Sequence, residues 1–312
     1  MPQPVPTIKE EKSLKSTNSD CFKSSYSHEL SEEAQRLVAT INYNISRQQH
    51  IVLVCKPSLE SILATVALTY YAQLHGQHVR LSLEKDCQLQ LGEVSIGPLD
   101  GLQDLHLVKR LITQVQRFYG HPTQRLLAYA CNYDDPAMPQ AVYEWIRMVL
   151  HYKEQSQTLL EAAQTEAFLT YARRGCNECE HARQFIRMSK MEDGSYFTRF
   201  SCKANVLPLV ASYFARRLRT ENFAIVDPIH GVAIIHTAGK THCSVILLDE
   251  ALLQELLHAK QISNEEHYIR SLWKTFYKKV GFSERNKVER GYDLRTHWMA
   301  KRFWNGLHEL EP

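Results

Sequence analysis

Residues 184–202, QFIRMSKMEDGSYFTRFSC, mark the point where the hydrophobic pattern of this chain changes from helical to β. Two short β-rich runs lie on either side of Asp193-Gly194, a dipeptide typical of tight hairpin turns. One helical run and three more β-rich runs follow: NVLPLVASYFARRL (205–218), FAIVD (223–227), GVAIIH (231–236) and HCSVILL (242–248). This order predicts a small antiparallel sheet with one helix on it, and such a sheet can leave one face open for a partner.

The part of the chain before this sheet predicts a mixed strand and helix region. IVLVC (51–55) is typical of a buried strand, SLESILATVALTYYAQLHG (58–76) of a helix that ends near Gly76, and HVRLSLEK (78–85) of a second strand. A helix is also expected from Ser31 to about Ile45, and further helices from Leu102 to about Arg174. The turn CKPSLES is not a glycine-rich phosphate loop, so it predicts no nucleotide site.

Two helices are expected after the sheet, one from Asp249 and one from Ser263, where Glu266 completes a capping box. The predicted fold class is α+β, with an N-terminal α/β and helical part, a small antiparallel sheet with one helix, and C-terminal helices. We expect a disordered tail over 1–27, the α/β and helical region over 28–175, and the sheet with the basic C-terminal helices over 176–312.

The composition is that of a globular protein. Of 312 residues, 44% are hydrophobic and 23% are charged, and no window approaches the roughly 18 apolar residues of a membrane span. The first residues have neither an apolar core nor a small-residue cleavage site, which argues against a secretory signal. Several of the eight cysteines lie in apolar runs, a pattern typical of reduced, buried thiols. We therefore expect a cytoplasmic protein without a disulfide framework.

Positive charge is concentrated in two segments. Residues 268–305 hold ten cations and three acids, and residues 171–220 hold ten cations and four acids, whereas the whole chain has a net charge of only +3. Aromatic residues interleave with the cations in the C-terminal segment, Trp273 to Trp304, which favours nucleic acid as the first candidate partner. Trp273, Phe276 and Tyr277 have helical spacing and are expected in the core.

Eight residues are candidates for contacts with nucleic acid, because cations neutralise phosphates and an amide offers a directional hydrogen bond. They are Arg183, Arg187, Arg216, Arg217, Arg285, Asn286, Lys301 and Arg302. For Arg216 and Arg217 the alternative is favourable charge at the end of a helix, which explains one arginine better than the three that include Arg219. For the C-terminal residues the alternative is an ordinary solvated basic helix.

Candidate chemistry is sparse. Cys176 and Cys179 form half of a soft-metal site, but no second pair completes it, and the alternative is two reduced cysteines at a helix end beside Gly175. His181 could act as base, ligand or phosphate donor, or could be structural. Asp227 and His236 lie on either side of the turn PIHG, where a pair across a hairpin could orient a proton carrier or could be unrelated.

Four phrases of the chain, in the same order, resemble a known family. They are DPAMPQAVYEWIRMVL (135–150), EHARQFIRM with YFTRF (180–200), LPLVASYFARRLRTENFAIVDPIHGVAIIH (207–236) and LWKTFYKKVGFSERNKVERGYDLRTHWMAKRFW (272–304). With SLESILATVALTYY near the start, they are similar to domain-of-unknown-function family 4130, whose members are described as DNA-metabolism or DNA-repair proteins. The chain departs from the family pattern at Ala300, where the family has proline, and at Lys56-Pro57, where it has an acidic residue and glycine.

The resemblance implies a radical-SAM DNA-repair protein as partner, and it matches His181, Asp227 and His236 to family positions without making any of them catalytic. Neither the residues nor the resemblance predicts a cofactor. Three functions remain open. The first is a DNA-repair accessory protein that binds nucleic acid. The second is an enzyme that acts on damaged or modified DNA or nucleotides and uses His181, Asp227 and His236. The third is a protein-interaction subunit whose cations face an acidic partner.

Overall fold

The computed structural model describes residues 30–72, 79–258, 261–280 and 299–306. The predicted tail over 1–27 and the predicted helix end at Gly76 lie outside these ranges. The described residues form two compact units, one from residues up to 131 together with 135–171, and one from 132–134 together with residues from 172 onward. In the described ranges, no helix combines the length and the apolarity that crossing a membrane requires.

The first unit holds a three-stranded parallel sheet surrounded by helices. Its first elements are α1 (Glu32–Ser46), β1 (His50–Cys55), α2 (Leu59–Tyr71), β2 (Val79–Leu83) and β3 (Glu93–Leu99). The strands are ordered β2-β1-β3, and both pairings are parallel. The predicted strand–helix–strand unit is confirmed, whereas β3 escaped prediction because EVSIGPL is only half-buried and ends in the strand-breaking residues Gly97 and Pro98.

Helices complete the first unit, in agreement with the predicted helical region. They are α3 (Leu105–Tyr119), α4 (Thr123–Cys131), α5 (Met138–Tyr152) and the first turns of α6 (Ala163–Phe185). The predicted apolar stripe of α5 faces the core, where Trp145 is fully buried and stacks on Phe168 with ring centroids 3.8 Å apart. Gly175 does not end α6, because one glycine costs a helix about 1 kcal/mol and a packed helix tolerates it. Cys176, Cys179 and His181 therefore lie within a helix and not at its end.

The second unit is built on a five-stranded sheet. Its elements are β4 (Ser189–Lys190), β5 (Tyr196–Arg199), α7 (Leu207–Arg217), β6 (Phe223–Asp227), β7 (Val232–His236), β8 (Ser244–Leu247), α8 (Glu250–His258) and α9 (Asn264–Val280). The strand order follows the chain order, and the predicted hairpin at Asp193-Gly194 joins β4 to β5. The α+β class is confirmed.

The sheet differs from the expectation in two respects. β5 and β6 pair in parallel, while the other three pairings are antiparallel, because the intervening α7 carries the chain back to the same end of the sheet. Both faces of the central strands β6 and β7 are also covered within the described residues, whereas Val245 and Leu247 of the edge strand β8 stay exposed. Leu253 of α8 packs on Ala224 and Val226, and the alternating residues Ile225 and Ile234, which point to the other face, are fully buried as well.

The N-terminus of α9 shows only half of the predicted capping box. The Ser263 hydroxyl accepts a hydrogen bond from the Glu266 backbone N–H at 3.1 Å, as expected. The Glu266 carboxylate turns instead to the backbone N–H of Lys190 on β4 and to the Arg270 guanidinium. Ser263 donates its own N–H to the Lys190 carbonyl, so this cap ties α9 to the sheet.

Candidate functional site

Three exposed arginines stand at the C-terminal end of α7. Arg216 and Arg217 are its last residues and Arg219 follows after one position. In the described parts of the chain, no carboxylate forms an ion pair with any of the three. The Arg217 guanidinium donates a hydrogen bond to the Tyr213 hydroxyl at 2.8 Å, and Arg216 donates to the Ser212 carbonyl at 3.2 Å. We call Arg216, Arg217 and Arg219 the basic end of α7.

Neighbouring cations extend this surface. The backbone N–H of Gly239 donates to the Arg219 carbonyl at 2.8 Å, and this contact holds the exposed Lys240 beside the basic end of α7. Arg183 of α6 also reaches this group, with its guanidinium carbon 5.7 Å from the centroid of the Tyr213 ring. Its charge is balanced, however, by an ion pair with Glu180.

Arg187, the remaining candidate on α6, is exposed and donates to the carbonyls of Gln184 and Ile186 at 2.7 and 3.2 Å. These contacts satisfy carbonyl groups at the end of the helix, which have no partner within the helix itself. A role in closing the helix therefore competes with a role in binding phosphate at this position.

The four C-terminal candidates for contacts with nucleic acid differ in their surroundings. Arg285 and Asn286 lie outside the described residues. Lys301 and Arg302 are both exposed, but the Arg302 guanidinium also donates to the buried carboxylate of Glu178 on α6. Phe303 is buried beside it and stacks on Phe200, with the ring centroids 5.2 Å apart and the planes nearly parallel. Arg302 is therefore part of a packed contact, and its charge is compensated within the chain.

The aromatic residues of α9 do not match the expectation that they belong to the core. Trp273 is 47% exposed and Phe276 is 55% exposed, so the prediction is wrong for these two side chains. The side chain of Tyr277 lies outside the described atoms. Helical spacing shows that these aromatic side chains lie on one side of α9, but it does not show whether that side is buried or exposed.

Glu178 is the centre of a small polar cluster in the second unit. Its carboxylate accepts the backbone N–H of Lys203 at 3.1 Å as well as the Arg302 guanidinium. His181, one turn later on α6, has Nδ1 at 3.8 Å from the same carboxylate, which is too long for a hydrogen bond. This Nδ1 is shielded from solvent and has no hydrogen-bond partner among the described residues, and the imidazole ring rests against Phe185 and Phe303.

Asp227 pairs with a histidine that the sequence interpretation passed over. Its buried carboxylate accepts the backbone N–H of Ile229 at 3.0 Å and lies 2.6 Å from Nδ1 of His230. His230 Nε2 is shielded from solvent, and no hydrogen-bond partner for it lies in the described part of the chain. The signal in the sequence was the spacing Asp-x-x-His within DPIHG, where an aspartate that folds back onto its own turn meets the third residue after it.

His236 lies at the other end of the same strand pair. The register places Asp227 opposite Val232 and Phe223 opposite His236, so the structure does not bring Asp227 and His236 together. Both ring nitrogens of His236 face backbone carbonyl oxygens, those of Glu221 at 2.8 Å and Lys240 at 3.0 Å. Neither nitrogen is therefore available to a substrate, and the ring fastens the β7–β8 turn.

The buried thiols of Cys179 and Cys202 are poorly suited to metal binding or nucleophilic chemistry, both of which need the thiolate. All seven cysteines in the described ranges are free. Burial raises the pKa of the Cys179 thiol to about 12. Burial, and after it the carboxylates of Glu178 and Asp227, also raise the pKa of Cys202 well above its usual range. Within the same ranges, no group of three or more His, Cys, Asp or Glu side chains is arranged to hold a metal ion.

Comparison with known families decides the relationship of the chain. The sequence profile described as Domain of unknown function (DUF4130) matches residues 136–309. The chain belongs to this family. No curated protein and no solved structure is significantly similar to it. The match to DUF4130 includes α5, the five-stranded sheet, the basic end of α7 and both polar groups around Glu178 and Asp227.

Proposed function

We propose that this DUF4130 protein binds DNA through the basic end of α7 and serves as an accessory protein of DNA repair alongside a radical-SAM partner. The observation that carries the DNA contact is the exposure of Arg216, Arg217 and Arg219 without a carboxylate partner in the described part of the chain. The repair role and the radical-SAM partner rest on the resemblance to family members. The free cysteines favour a reducing compartment and hence the cytoplasm.

The chemistry of these side chains fits a phosphate backbone. A guanidinium presents several N–H donors in a plane and binds phosphate oxygens in pairs. A favourable interaction with the helix dipole accounts for one cation in the last turn, at about 0.3–1 kcal/mol, but gains little from a third. The bond from Arg217 to the Tyr213 hydroxyl also restricts its side chain before any partner arrives, which lowers the entropic cost of binding.

The contacts around Arg302 change which cations should be tested. Reversal of Arg302 would leave Glu178 buried without its counter-ion, and a loss of DNA binding would then be confounded with a loss of folding. Lys301 has no such role and is a suitable single substitution. The basic end of α7 is preferable because each of its three side chains is exposed.

The test measures DNA binding by the purified full chain, with fluorescence anisotropy as the readout at several salt concentrations. We expect replacement of Arg216, Arg217 and Arg219 by glutamine to weaken binding at least about tenfold and to reduce the salt slope by about 1 for each lost phosphate contact. The control replaces three exposed cations of the first unit, Arg36, Arg47 and Lys109, and removes the same net charge.

An equal loss in both triple variants would contradict a specific surface at α7. Failure of the unmodified protein to bind any DNA would overturn the proposal and favour the protein-interaction subunit. Thermal unfolding of each variant distinguishes lost contacts from a damaged fold, and we expect little change because all six side chains are exposed.

The pairing of Asp227 with His230 favours a second candidate function, an enzyme acting on damaged or modified DNA or nucleotides. A carboxylate that holds one imidazole nitrogen leaves the other nitrogen to accept a proton, which is the arrangement of a general base. Because His230 Nε2 is shielded from solvent, a substrate would reach it only after a local rearrangement. Under this function His230→Asn abolishes turnover while DNA affinity is retained. Full turnover in that variant would remove the enzyme hypothesis and leave the DNA-binding proposal intact.

A further inference from the structure

The two edges of the five-stranded sheet are treated differently by the chain. Beyond β4, the segment 261–263 continues the pairing, since Met191 forms a bridge with Ile262 and the Glu192 N–H donates to the Gln261 carbonyl at 3.0 Å. No comparable segment pairs with the outer side of β8 in the ranges that the structure describes. Among the described residues, one edge is therefore closed, and the edge formed by β8 is open.

The open edge presents hydrogen-bonding groups of its backbone. The Leu248 N–H donates to the Gly231 carbonyl at 2.7 Å, and β8 continues in register with Ile246 opposite Ala233. Because hydrogen-bonded residues alternate along an antiparallel pair, Ser244 and Ile246 face β7, and Val245 and Leu247 direct their N–H and C=O groups outward. Four such groups are enough for a short ladder with another strand.

The side chains of β8 also favour pairing. Val245 is 48% exposed and Leu247 is 79% exposed, and the two lie on the same face of the strand. Edge strands that stay unpaired are normally protected by lysine, proline or a bulge, because an open apolar edge recruits other strands. The strand Ser244–Leu247 contains none of these devices.

The charges on either side of β8 indicate which strand would pair with this edge. Lys240 precedes the strand and Asp249 and Glu250 follow it, and all three are exposed. In an antiparallel pair of two identical strands, the basic flank of one copy lies beside the acidic flank of the other. A parallel pair would place like charges together, at a cost in free energy.

We propose that β8 pairs antiparallel with β8 of a second copy of this chain, so that the two sheets join into one across a twofold axis at Ile246. In this register Val245 of one copy lies opposite Leu247 of the other, and the outward N–H and C=O groups of both residues are satisfied. This dimer uses a surface apart from the basic end of α7 and does not depend on the proposed DNA contact. A seam of four residues is short, so we expect a dissociation constant on the order of micromolar.

The first test is the mass of the full chain as a function of concentration, by sedimentation equilibrium. We expect a reversible increase from 36.1 kDa toward twice that value. Leu247→Lys places a charge in the seam and should leave a monomer with an unchanged melting temperature, because the side chain is exposed. The control is Ile229→Lys, which changes a 66% exposed residue in the β6–β7 turn and should still dimerise.

The second test is disulfide trapping, which reads the register directly. Ile246 lies opposite itself at a pair without backbone hydrogen bonds, where the Cα atoms are about 4.5 Å apart and a disulfide can close. In a Cys243→Ser background, Ile246→Cys should therefore cross-link under mild oxidation, and Val245→Cys, which lies opposite Leu247, should not. Cross-linking at 245 in place of 246 would contradict this register, and a chain that stays monomeric at every concentration would overturn the proposal.

Discussion

Arg302 and Glu178, which are 124 positions apart in sequence, form an ion pair that ties the C-terminal segment to α6. The carboxylate is buried and also accepts the Lys203 backbone N–H, so three separate segments meet at one side chain. The stacking of Phe303 on Phe200 reinforces the contact. One of the most attractive cations for DNA binding is therefore a structural residue, and the candidate surface moves to the end of α7.

Removal of Arg302 should destabilise the protein far more than removal of its neighbour. We expect Arg302→Met to lower the free energy of unfolding by about 1–2 kcal/mol, because it leaves the buried Glu178 carboxylate without its counter-ion, and solvent around the exposed Arg302 side chain screens part of the interaction. Lys301→Met, the matched control, should change it by less than about 0.5 kcal/mol. Urea unfolding at neutral pH measures both. The double variant Glu178→Met with Arg302→Met should recover part of the loss. Equal destabilisation by Arg302→Met and Lys301→Met would contradict a structural role for Arg302.

The ion pair between Arg80 and Glu93 should make the first unit sensitive to acid. The Arg80 guanidinium lies 2.7 and 2.6 Å from the two carboxylate oxygens and holds the pKa of Glu93 at about 2, below its usual 4.5. Because the folded pKa is depressed, the contribution to stability is present above about pH 4.5 and is lost as the pH falls toward 2.

The measurement compares Glu93→Gln with the unmodified chain by chemical unfolding at several pH values. We expect the variant to be less stable by about 1–2 kcal/mol at pH 7. The difference should shrink steadily below about pH 4.5. Glu32→Gln, which removes a fully solvated ion pair with Arg36, should cost less than about 0.5 kcal/mol. A pH-independent difference for Glu93→Gln would show that the ion pair is not its cause.

Two glycines with nearly the same backbone conformation should respond differently to alanine. Gly101 and Gly92 have φ of 82° and 85°, a region that disfavours a Cβ. A Cβ at Gly101 would lie 2.5 Å from the Glu60 carbonyl oxygen, whereas a Cβ at Gly92 meets nothing within 4 Å. Gly92→Ala should cost about 1 kcal/mol and Gly101→Ala at least about 3 kcal/mol, measured by urea unfolding. Similar costs would mean that backbone strain alone dominates both positions.

Much of the architecture was predictable because its causes are local. Alternating and helical hydrophobic patterns located β1, α2, β2, α5 and the strands β5 to β8, and Asp193-Gly194 located the hairpin. The β-rich run predicted over QFIRMSK (184–190) was mostly wrong, because α6 continues to Phe185 and only Ser189–Lys190 form β4. The parallel pairing of β5 with β6 was missed although the helix between them had been predicted, and a helical crossover is what a parallel pair requires.

The candidate site was less predictable because it depends on contacts between distant segments. Spacing in the sequence suggested that Asp227 pairs with His236, yet the strand register separates them and the turn brings His230 to Asp227. Likewise, nothing local distinguishes Arg302, which binds Glu178, from Lys301, which is exposed. Charge density indicated a basic protein surface but not which cations form it.

The sequence by itself determined the α+β class, the family and most helices and strands, because periodicity, turn residues and motif order act over a few neighbouring positions. Only the tertiary structure decided which cations are free to meet a partner, which histidine Asp227 holds, and which edge of the sheet is open. These properties follow from pairings of residues far apart in the chain, since burial and the position of a counter-ion are set by the whole fold.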